Sequence, residues 1–257
     1  MSVFLWLALF CHVLFVFSPQ VVAEDIPSGD ESVEYDDLPP DLDEFDIDDM
    51  EDSPSGWVDP LEPVNRVFFY INDTLYSWVL EPVAEGYGAV LPKEIRIGIR
   101  NLFSHILTPV RVVGSLLQGK VTDSGVEVTR FVVNTFFGFG GFFDVAEDAF
   151  DLRIRDEDLG QALGYYGVSD SIYIFWPILG PSNLRDTVGL GGEFFLNPIY
   201  YIGNDDLLFG LGLKSEEIVN ETSLMLGEYD QIKDSSLDPY VSIRDFYLQY
   251  RRGKVKE

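Results

Sequence analysis

Short helical segments separated by proline are the feature that most constrains this chain. Beyond residue 57, apolar side chains recur every three or four residues, which places them on one face of an α-helix. Proline interrupts this pattern at three points, and we expect Pro82 to end the first helix. The sequence therefore predicts a mainly α-helical fold. The predicted helices cover residues 59–80, 93–108, 110–118, 122–137, 181–196, 214–228 and 237–252.

One aromatic stretch departs from helical spacing. Residues 163–168 and 172–176 are rich in aromatic and β-branched side chains, and the turn-forming residues 169–171 lie between them. This pattern predicts a short β-hairpin. The helix predicted after it has Ser182 or Asn183 as its N-cap.

Several short runs are strongly apolar, yet none after residue 57 reaches the roughly 20 apolar residues that a membrane-spanning helix needs. The runs cover residues 131–143, 172–180 and 194–202. Such runs either form the core of a soluble domain or belong to amphipathic helices lying in the plane of one leaflet. Composition alone favours the soluble core.

The N-terminus has the pattern of a targeting segment. The apolar run from Val3 to Phe17 is followed by small residues ending at Ala23, which predicts a signal peptide over residues 1–23. The segment lacks Lys and Arg before the apolar run, so an uncleaved anchor is the alternative. Cys11, the only cysteine, is either a lipidation site or an apolar residue within the signal, since Phe10 stands where a lipidation motif has a small residue.

Negative charge is concentrated near the N-terminus. The net charge is -27, and residues 24–55 hold 15 acidic residues and no basic ones. We expect this segment to be an acidic disordered linker, because it cannot bury enough apolar area to fold. It serves either as a tether or as a partner-binding motif. The folded body is also acidic, which argues against nucleic-acid binding.

Residues typical of catalysis are scarce. His105 is the one histidine outside the N-terminal segment, and it has no nucleophile motif beside it. The glycines at 138–141 lack the lysine of a phosphate-binding loop. We therefore predict no catalytic residue, cofactor or metal, and expect that the chain is not an enzyme.

The glycine cluster has another interpretation. Gly138, Gly140 and Gly141 lie between pairs of phenylalanine residues, and glycine permits backbone conformations that other residues avoid. The cluster is either a hinge or a close helix crossing.

Ordered motifs across residues 57–250 resemble the MlaA (VacJ) family of outer-membrane phospholipid-transport lipoproteins. The first motif contains Asn65 and Arg66, and the central one contains the glycine cluster. The motifs are Asp59-Pro60-Leu61-Glu62-x-x-Asn65-Arg66, Leu117-Gln118-Gly119, Arg130-Phe131 with Asn134-Thr135, Gly138-x-Gly140-Gly141-Phe142-x-Asp144-Val145-Ala146, Leu163-Gly164-x-Tyr166-Gly167-Val168, Pro177-x-x-Gly180, Leu184-Arg185-Asp186 and Ser236-x-Asp238-Pro239-Tyr240.

The resemblance implies a ring of amphipathic helices around a central channel, formed by residues 56–257. It implies that the protein lies on the periplasmic side of the outer membrane of a Gram-negative bacterium. There, phospholipid mislocalised in the outer leaflet passes through the channel to a periplasmic carrier, which maintains membrane asymmetry. An outer-membrane porin is the implied partner. The alternatives are a soluble periplasmic lipid-binding protein and an envelope-structural protein.

Several residues of these motifs are candidates for individual roles. Gly138, Gly140 and Gly141 are candidates for a hinge or for the channel lining. Asn65 and Arg66 form either an internal polar network or a headgroup contact. We expect Arg130 and Arg185 to pair with Asp144 and Asp186, respectively, rather than with lipid phosphate.

Overall fold

The computed structural model describes residues 59–202 and 207–256, all within one compact unit, Trp57–Glu257. These residues are mainly helical, so the predicted fold class is confirmed. The predicted signal peptide, acidic linker and Cys11 lie outside the described residues.

The first helix does not end at Pro82, so that expectation is wrong. Helix α1 (Glu62–Leu75) runs through a π-helical turn (Tyr76–Leu80) into α2 (Glu81–Val90). The amide of Glu81 donates to the carbonyl of Tyr76, five residues back. This wider turn places Pro82 in the first turn of α2, where its missing N–H group costs no helical hydrogen bond.

Three predicted helices follow in the expected places. They are α3 (Lys93–Ile106), α4 (Thr108–Leu117) and α5 (Val121–Phe136). Pro109 begins α4 rather than interrupting it, since proline is tolerated in the first helical turn. Helices α4 and α5 pack against each other.

The β-hairpin exists, but one predicted strand was wrong. Residues 163–165 belong to α7 (Leu159–Tyr165), which follows the short helix α6 (Val145–Phe150), and residues 166–168 form no strand. The carboxylate of Asp158 accepts from the Gln161 amide and caps α7, so this cap outweighs the strand preference of the tyrosines that follow. The strands are β1 (Tyr173–Trp176) and β2 (Gly180–Asn183), paired antiparallel with Tyr173 opposite Asn183.

The C-terminal part is helical as predicted, with different boundaries. The amide of Asp186 donates to the Asn183 side chain, which confirms Asn183 as the cap of α8. The predicted helix 214–228 begins earlier, and the sequence did not predict the helix that follows it. The helices are α8 (Leu184–Glu193), α9 (Pro198–Ile202), α10 (Leu207–Leu224), α11 (Glu228–Ser235) and α12 (Pro239–Lys256).

A small aromatic core joins α1, the hairpin and α12. The ring of Phe69 makes edge contacts with Phe175 and Tyr240, with centroids 5.6 and 5.8 Å apart. Tyr173 and Leu248 complete this buried cluster. Elsewhere, buried positions in the described residues are more often polar or charged than apolar. Hydrophobic burial alone therefore does not hold these helices together.

Candidate functional site

The glycine cluster forms a tight loop between α5 and α6, called here the glycine loop (residues 137–144). Phe139, Gly140 and Gly141 have φ angles of 54°, 73° and 96°. The amide of Gly141 donates to the carbonyl of Asn134 at 2.9 Å, so the loop folds back on the end of α5. Glycine suits two of these three positions because left-handed backbone strains other residues.

The three predicted glycines have different surroundings. A Cβ atom on Gly138 would lie 2.2 Å from the carbonyl oxygen of Phe143, and one on Gly141 would lie 2.4 Å from the His105 ring. Both glycines therefore mark close packing. A Cβ atom on Gly140 would have no neighbour within 4 Å. Only Gly140 combines left-handed backbone with open space, so it is the better candidate for the predicted hinge.

Phenylalanine side chains of the glycine loop and the end of α5 point outward. Phe139 is 83% exposed, and Phe136, Phe137 and Phe143 are also largely exposed. Other helices add to this apolar exterior, including Trp78 in the π-helical turn at 81%. A contiguous apolar patch on a protein surface is typical of a site that contacts protein or lipid. Among the described residues, no helix combines the length and apolar character required to cross a membrane.

Beneath the glycine loop lies a network of buried charges. Arg130 donates to the Asp144 carboxylate at 2.5 Å and to the carbonyl of Leu152, so the predicted pairing of Arg130 with Asp144 is confirmed. The Asn134 amide donates to the same carboxylate at 2.8 Å. These contacts join α5 to the start of α6.

A second ion pair lies deeper. The Nε of Arg111 donates to Glu127 at 2.7 Å, with side-chain exposures of 8% and 0%. The other Glu127 oxygen accepts from the Arg155 amide at 2.6 Å. Sequence analysis missed this pair, although Glu127 and Arg130 lie three residues apart on one helix face. The spacing pointed to neighbouring charges, but only the packing of α4 on α5 identifies Arg111 as the partner.

His105 lies between the network and the glycine loop. Its ring stacks on Phe131, with centroids 4.6 Å apart, and its Nε2 lies 3.1 Å from the Thr135 hydroxyl. Burial lowers the pKa of His105, and the positive charge of Arg111 lowers it further. The ring is therefore neutral at pH 7. It can donate or accept one hydrogen bond beside the loop.

A narrow cleft opens between α3, α4, α5 and the glycine loop. Its walls leave space for about one or two water-sized groups, and most of its lining is polar. We call it the polar cleft. It is lined by Asn101, Ser104, His105, Thr108, Arg111, Arg130, Phe131, Asn134, Gly141 and Asp144.

Asn65 does not line this cleft and belongs to an internal network of hydrogen bonds. Its amide donates to the Tyr173 carbonyl at 3.1 Å, and its oxygen accepts from the Phe175 amide at 2.9 Å. The side chain therefore completes the hydrogen bonding of β1. It also donates to Asp59, at 3.1 Å.

Arg66 joins the two ends of the described unit. Its guanidinium donates to Glu62 at 2.8 Å and to Asp238 at 2.7 Å, and it covers the ring of Tyr240. The hydroxyl of Tyr240 donates to Asp59. Arg66 and Asn65 thus meet in one network, which the structure does not bring together with the glycine loop.

The predicted pairing of Arg185 with Asp186 is confirmed and is part of a larger cluster. Asp186 accepts from Arg185 at 2.8 Å, from Arg251 at 2.7 Å and from the Tyr247 hydroxyl at 2.7 Å. Arg251 also donates to Asp158, at 2.5 Å. These contacts fasten α12 to α7 and α8. No group of His, Cys, Asp and Glu in the described part of the chain is arranged to hold a metal ion.

The described residues form a mainly helical protein that exposes many large aromatic side chains and buries networks of charged ones. The model of the MlaA lipoprotein family matches residues 57–254, and this chain belongs to that family.

Characterised relatives have names that describe lipid transport. The chain is 32% identical over 197 residues to the intermembrane phospholipid transport system lipoprotein MlaA of Escherichia coli, covering 76% of this chain and 77% of that protein. It is 30% identical to the Haemophilus influenzae protein of the same name, over 77% and 80% of the two chains. An uncharacterised Rickettsia felis protein is 33% identical, over 77% and 78%.

A solved structure has a similar fold. It comes from work on the structural basis for maintenance of bacterial outer membrane lipid asymmetry. The match has a TM-score of 0.68 and 30% identity, and it covers 77% of this chain and all of that chain.

Proposed function

We propose that this protein transports phospholipid between membranes and so maintains the lipid asymmetry of a bacterial outer membrane. It withdraws phospholipid from the outer leaflet, passes it through a channel between its helices and releases it to a periplasmic carrier. No covalent chemistry is required, and the chain acts as a transporter rather than an enzyme.

The observation that carries this proposal is membership of a family whose characterised members are named for phospholipid transport. The distribution of side chains agrees with it. Exposed aromatic residues such as Phe139 and Trp78 suit contact with acyl chains, since aromatic side chains favour the membrane interface. Buried polar groups suit the passage of a headgroup, because a charged group enters an interior only where polar partners receive it.

The proposed location is the periplasmic side of the outer membrane, with the exposed apolar surface in the inner leaflet. Helices too short to span can bury one face in a single leaflet. The N-terminal segment brings the chain there, either cleaved after Ala23 or lipidated at Cys11. An outer-membrane porin is the proposed neighbour.

The hinge is assigned to the glycine loop. Gly140 supplies left-handed backbone without close neighbours, whereas Gly138 and Gly141 hold the loop against α5 and α3. Rotation at Gly140 would move the exposed Phe139 relative to the polar cleft. Asn65 and Arg66 take the role of an internal network rather than of a headgroup contact.

The deciding experiment deletes the gene and measures phospholipid in the outer leaflet by enzymatic tagging of surface-exposed lipid A. We expect tagging to rise and the intact gene to reverse the rise. Unchanged tagging, with the protein present in the outer membrane of the parent strain, would contradict the proposal and favour an envelope-structural role. Extraction of the mature protein without detergent would instead indicate a soluble lipid-binding protein.

A further inference from the structure

One face of α3 holds the glycine loop. The ring of Phe142 packs directly on Gly98, where a Cβ atom would lie 2.2 Å from that ring. One turn further along α3, the Asn101 amide donates to the carbonyl of Phe142 at 3.3 Å. His105 follows on the same face, and its ring fills the space that a side chain at Gly141 would need. His105 supplies the titratable side chain in this set of contacts.

The hydrogen bonds of Thr135 determine which nitrogen of the His105 ring carries the proton. The Thr135 hydroxyl donates its single hydrogen to the carbonyl of Phe131 at 2.6 Å. It therefore accepts from His105 Nε2, which lies 3.1 Å away, so the neutral ring is protonated at Nε2 and has a lone pair on Nδ1. The carbonyl of Thr135 accepts from the Gly140 amide at 3.1 Å. One residue thus joins the His105 ring to the candidate hinge.

The surroundings of the His105 ring oppose a second proton. The charged groups that act on the ring are Arg111 of α4, Arg130 of α5 and Asp144 of the glycine loop. Asp144 pairs with Arg130 at 2.5 Å, and Glu127 of α5 pairs with Arg111 at 2.7 Å. These four charges cancel, so a protonated ring would add an excess positive charge. It would have to compete with Arg130 for Asp144 or leave its place.

A further carboxylate lies beside this group of charges. Glu147 of α6 is 3.9 Å from Arg130, and its side chain is 32% exposed. Burial raises the pKa of Glu147, and the negative charge of Asp144 raises it further. Glu147 therefore takes up a proton at a higher pH than an ordinary glutamate. Its titration has to be separated from that of His105 by experiment.

We propose that His105 is a pH-sensitive switch: the neutral ring holds the glycine loop against α3, and protonation of the ring releases the loop. The proposal rests on the proposed transport function and specifies what regulates the hinge at Gly140. A ring held in place disfavours the added proton, whereas a ring released into water binds it as an ordinary histidine does. Protons therefore favour the released state. The shift begins as the pH falls below about 6.5, the ordinary pKa of histidine.

The test is hydrogen exchange of the full chain in detergent, measured by mass spectrometry between about pH 7.5 and pH 5. The amides of Gly140, Gly141 and Phe143 report on the loop, because each donates to a carbonyl of the loop or of α5. The measured quantity is the protection factor, which divides the exchange rate of an unstructured peptide by the observed rate and so removes the intrinsic effect of pH. The Phe175 amide, which donates to Asn65 at 2.9 Å, is the internal control.

Two variants separate the titrating groups. His105→Gln keeps an N–H donor for Thr135 and takes up no proton in this range of pH. Glu147→Gln removes the titration of the neighbouring carboxylate and leaves the ring unchanged.

In the wild type, we expect the protection factors of the three loop amides to fall below about pH 6.5, by up to about tenfold per pH unit, as the uptake of one proton predicts. The protection factor of the Phe175 amide should not change. His105→Gln should make the protection of the loop independent of pH. Glu147→Gln should retain the dependence on pH seen in the wild type.

Three results would overturn the switch. They are constant loop protection in the wild type, an undiminished fall with pH in His105→Gln, and loss of the fall in Glu147→Gln.

A nitrogen NMR spectrum of the histidine side chains tests the switch without replacing His105. The spectrum is recorded on His12→Gln, which removes the signal of the other histidine of the chain. His105 should carry its proton on Nε2 at neutral pH and become doubly protonated only below about pH 6.5. Protonation at or above that pH would contradict the proposal. Neither measurement depends on lipid transport, so a failure of the switch and a failure of the proposed function remain distinguishable.

Discussion

Replacing Asp186 with asparagine should lower the unfolding free energy of this protein more than a comparable substitution at an exposed position. Asp186 is 6% exposed and accepts hydrogen bonds from Arg185 and Arg251, so the variant leaves buried cations without their counter-charge. Removing one partner of a buried ion pair typically costs about 3–5 kcal/mol of unfolding free energy. Arg251 keeps Asp158 as a second partner, which places the expected loss near the lower end, at about 3 kcal/mol.

The pKa of Asp186 gives a second, independent value for this loss of unfolding free energy. Burial raises this pKa, but hydrogen bonds from Arg251 and Arg185 outweigh burial and lower it from 3.8 to about 2. A difference of nearly two pH units corresponds to roughly 2 kcal/mol of stability. Because the folded-state pKa is depressed, this contribution is present above pH 4 and is lost as pH falls from about 4 to 2.

The assay is urea unfolding in detergent, followed by circular dichroism, for Asp186→Asn and for Asp151→Asn as control. Asp151 lies 3.7 Å from Arg153 and its side chain is 88% exposed, so the control should lose almost nothing. The gap between wild type and Asp186→Asn should shrink from about 3 kcal/mol at pH 6 to about 1 kcal/mol at pH 2.5. A gap that is under 1 kcal/mol at pH 6, or constant with pH, would refute the reasoning.

Two further predictions concern α1 and the glycine loop. Asn65→Ala should lower the unfolding free energy by about 2–3 kcal/mol in the same assay, because it leaves buried backbone groups of β1 unpaired. Asn72 is the matched control, because it makes the same pair of hydrogen bonds to the hairpin residues but these bonds are exposed. Asn72→Ala should therefore cost less, and equal losses would contradict the argument. Gly140→Ala should raise lipid A tagging in cells at normal protein level, because alanine adopts left-handed backbone only at a cost of about 1–2 kcal/mol. Gly119→Ala is the matched control, since Gly119 has a φ angle of 75° and equally open space, and it should leave tagging unchanged. Equal effects of the two substitutions would contradict the hinge.

Patterns among residues close in sequence were sufficient to predict most of the helices. The periodicity of apolar residues and the cap at Asn183 depend on residues close together in the chain, so the sequence alone predicts them. Residues 163–168 were misplaced because their tyrosines suit a strand, whereas the Asp158 cap and packing of α7 on α8 favour a helix. Pro82 was misjudged because a π-helical turn absorbs it.

The candidate site was only partly predictable. The glycine loop and the pairing of Arg130 with Asp144 lie within 15 residues of sequence, and the motif brings them together. The pairing of Arg111 with Glu127 depends on how α4 packs on α5. A glutamate on an amphipathic helix usually lies on the solvated face, so the spacing of residues in the sequence could not predict that Glu127 is buried.

The predominance of polar groups in the interior has a calorimetric consequence. Unfolding a soluble domain raises the heat capacity by about 12–15 cal/mol/K per residue, because newly exposed apolar area outweighs newly exposed polar area. Here many apolar side chains are exposed before unfolding, while Glu127, Arg130 and Asn134 become hydrated only on unfolding. Polar hydration lowers the heat capacity. The increase in heat capacity on unfolding should therefore be unusually small, and the plot of unfolding free energy against temperature should curve less than that of a soluble domain.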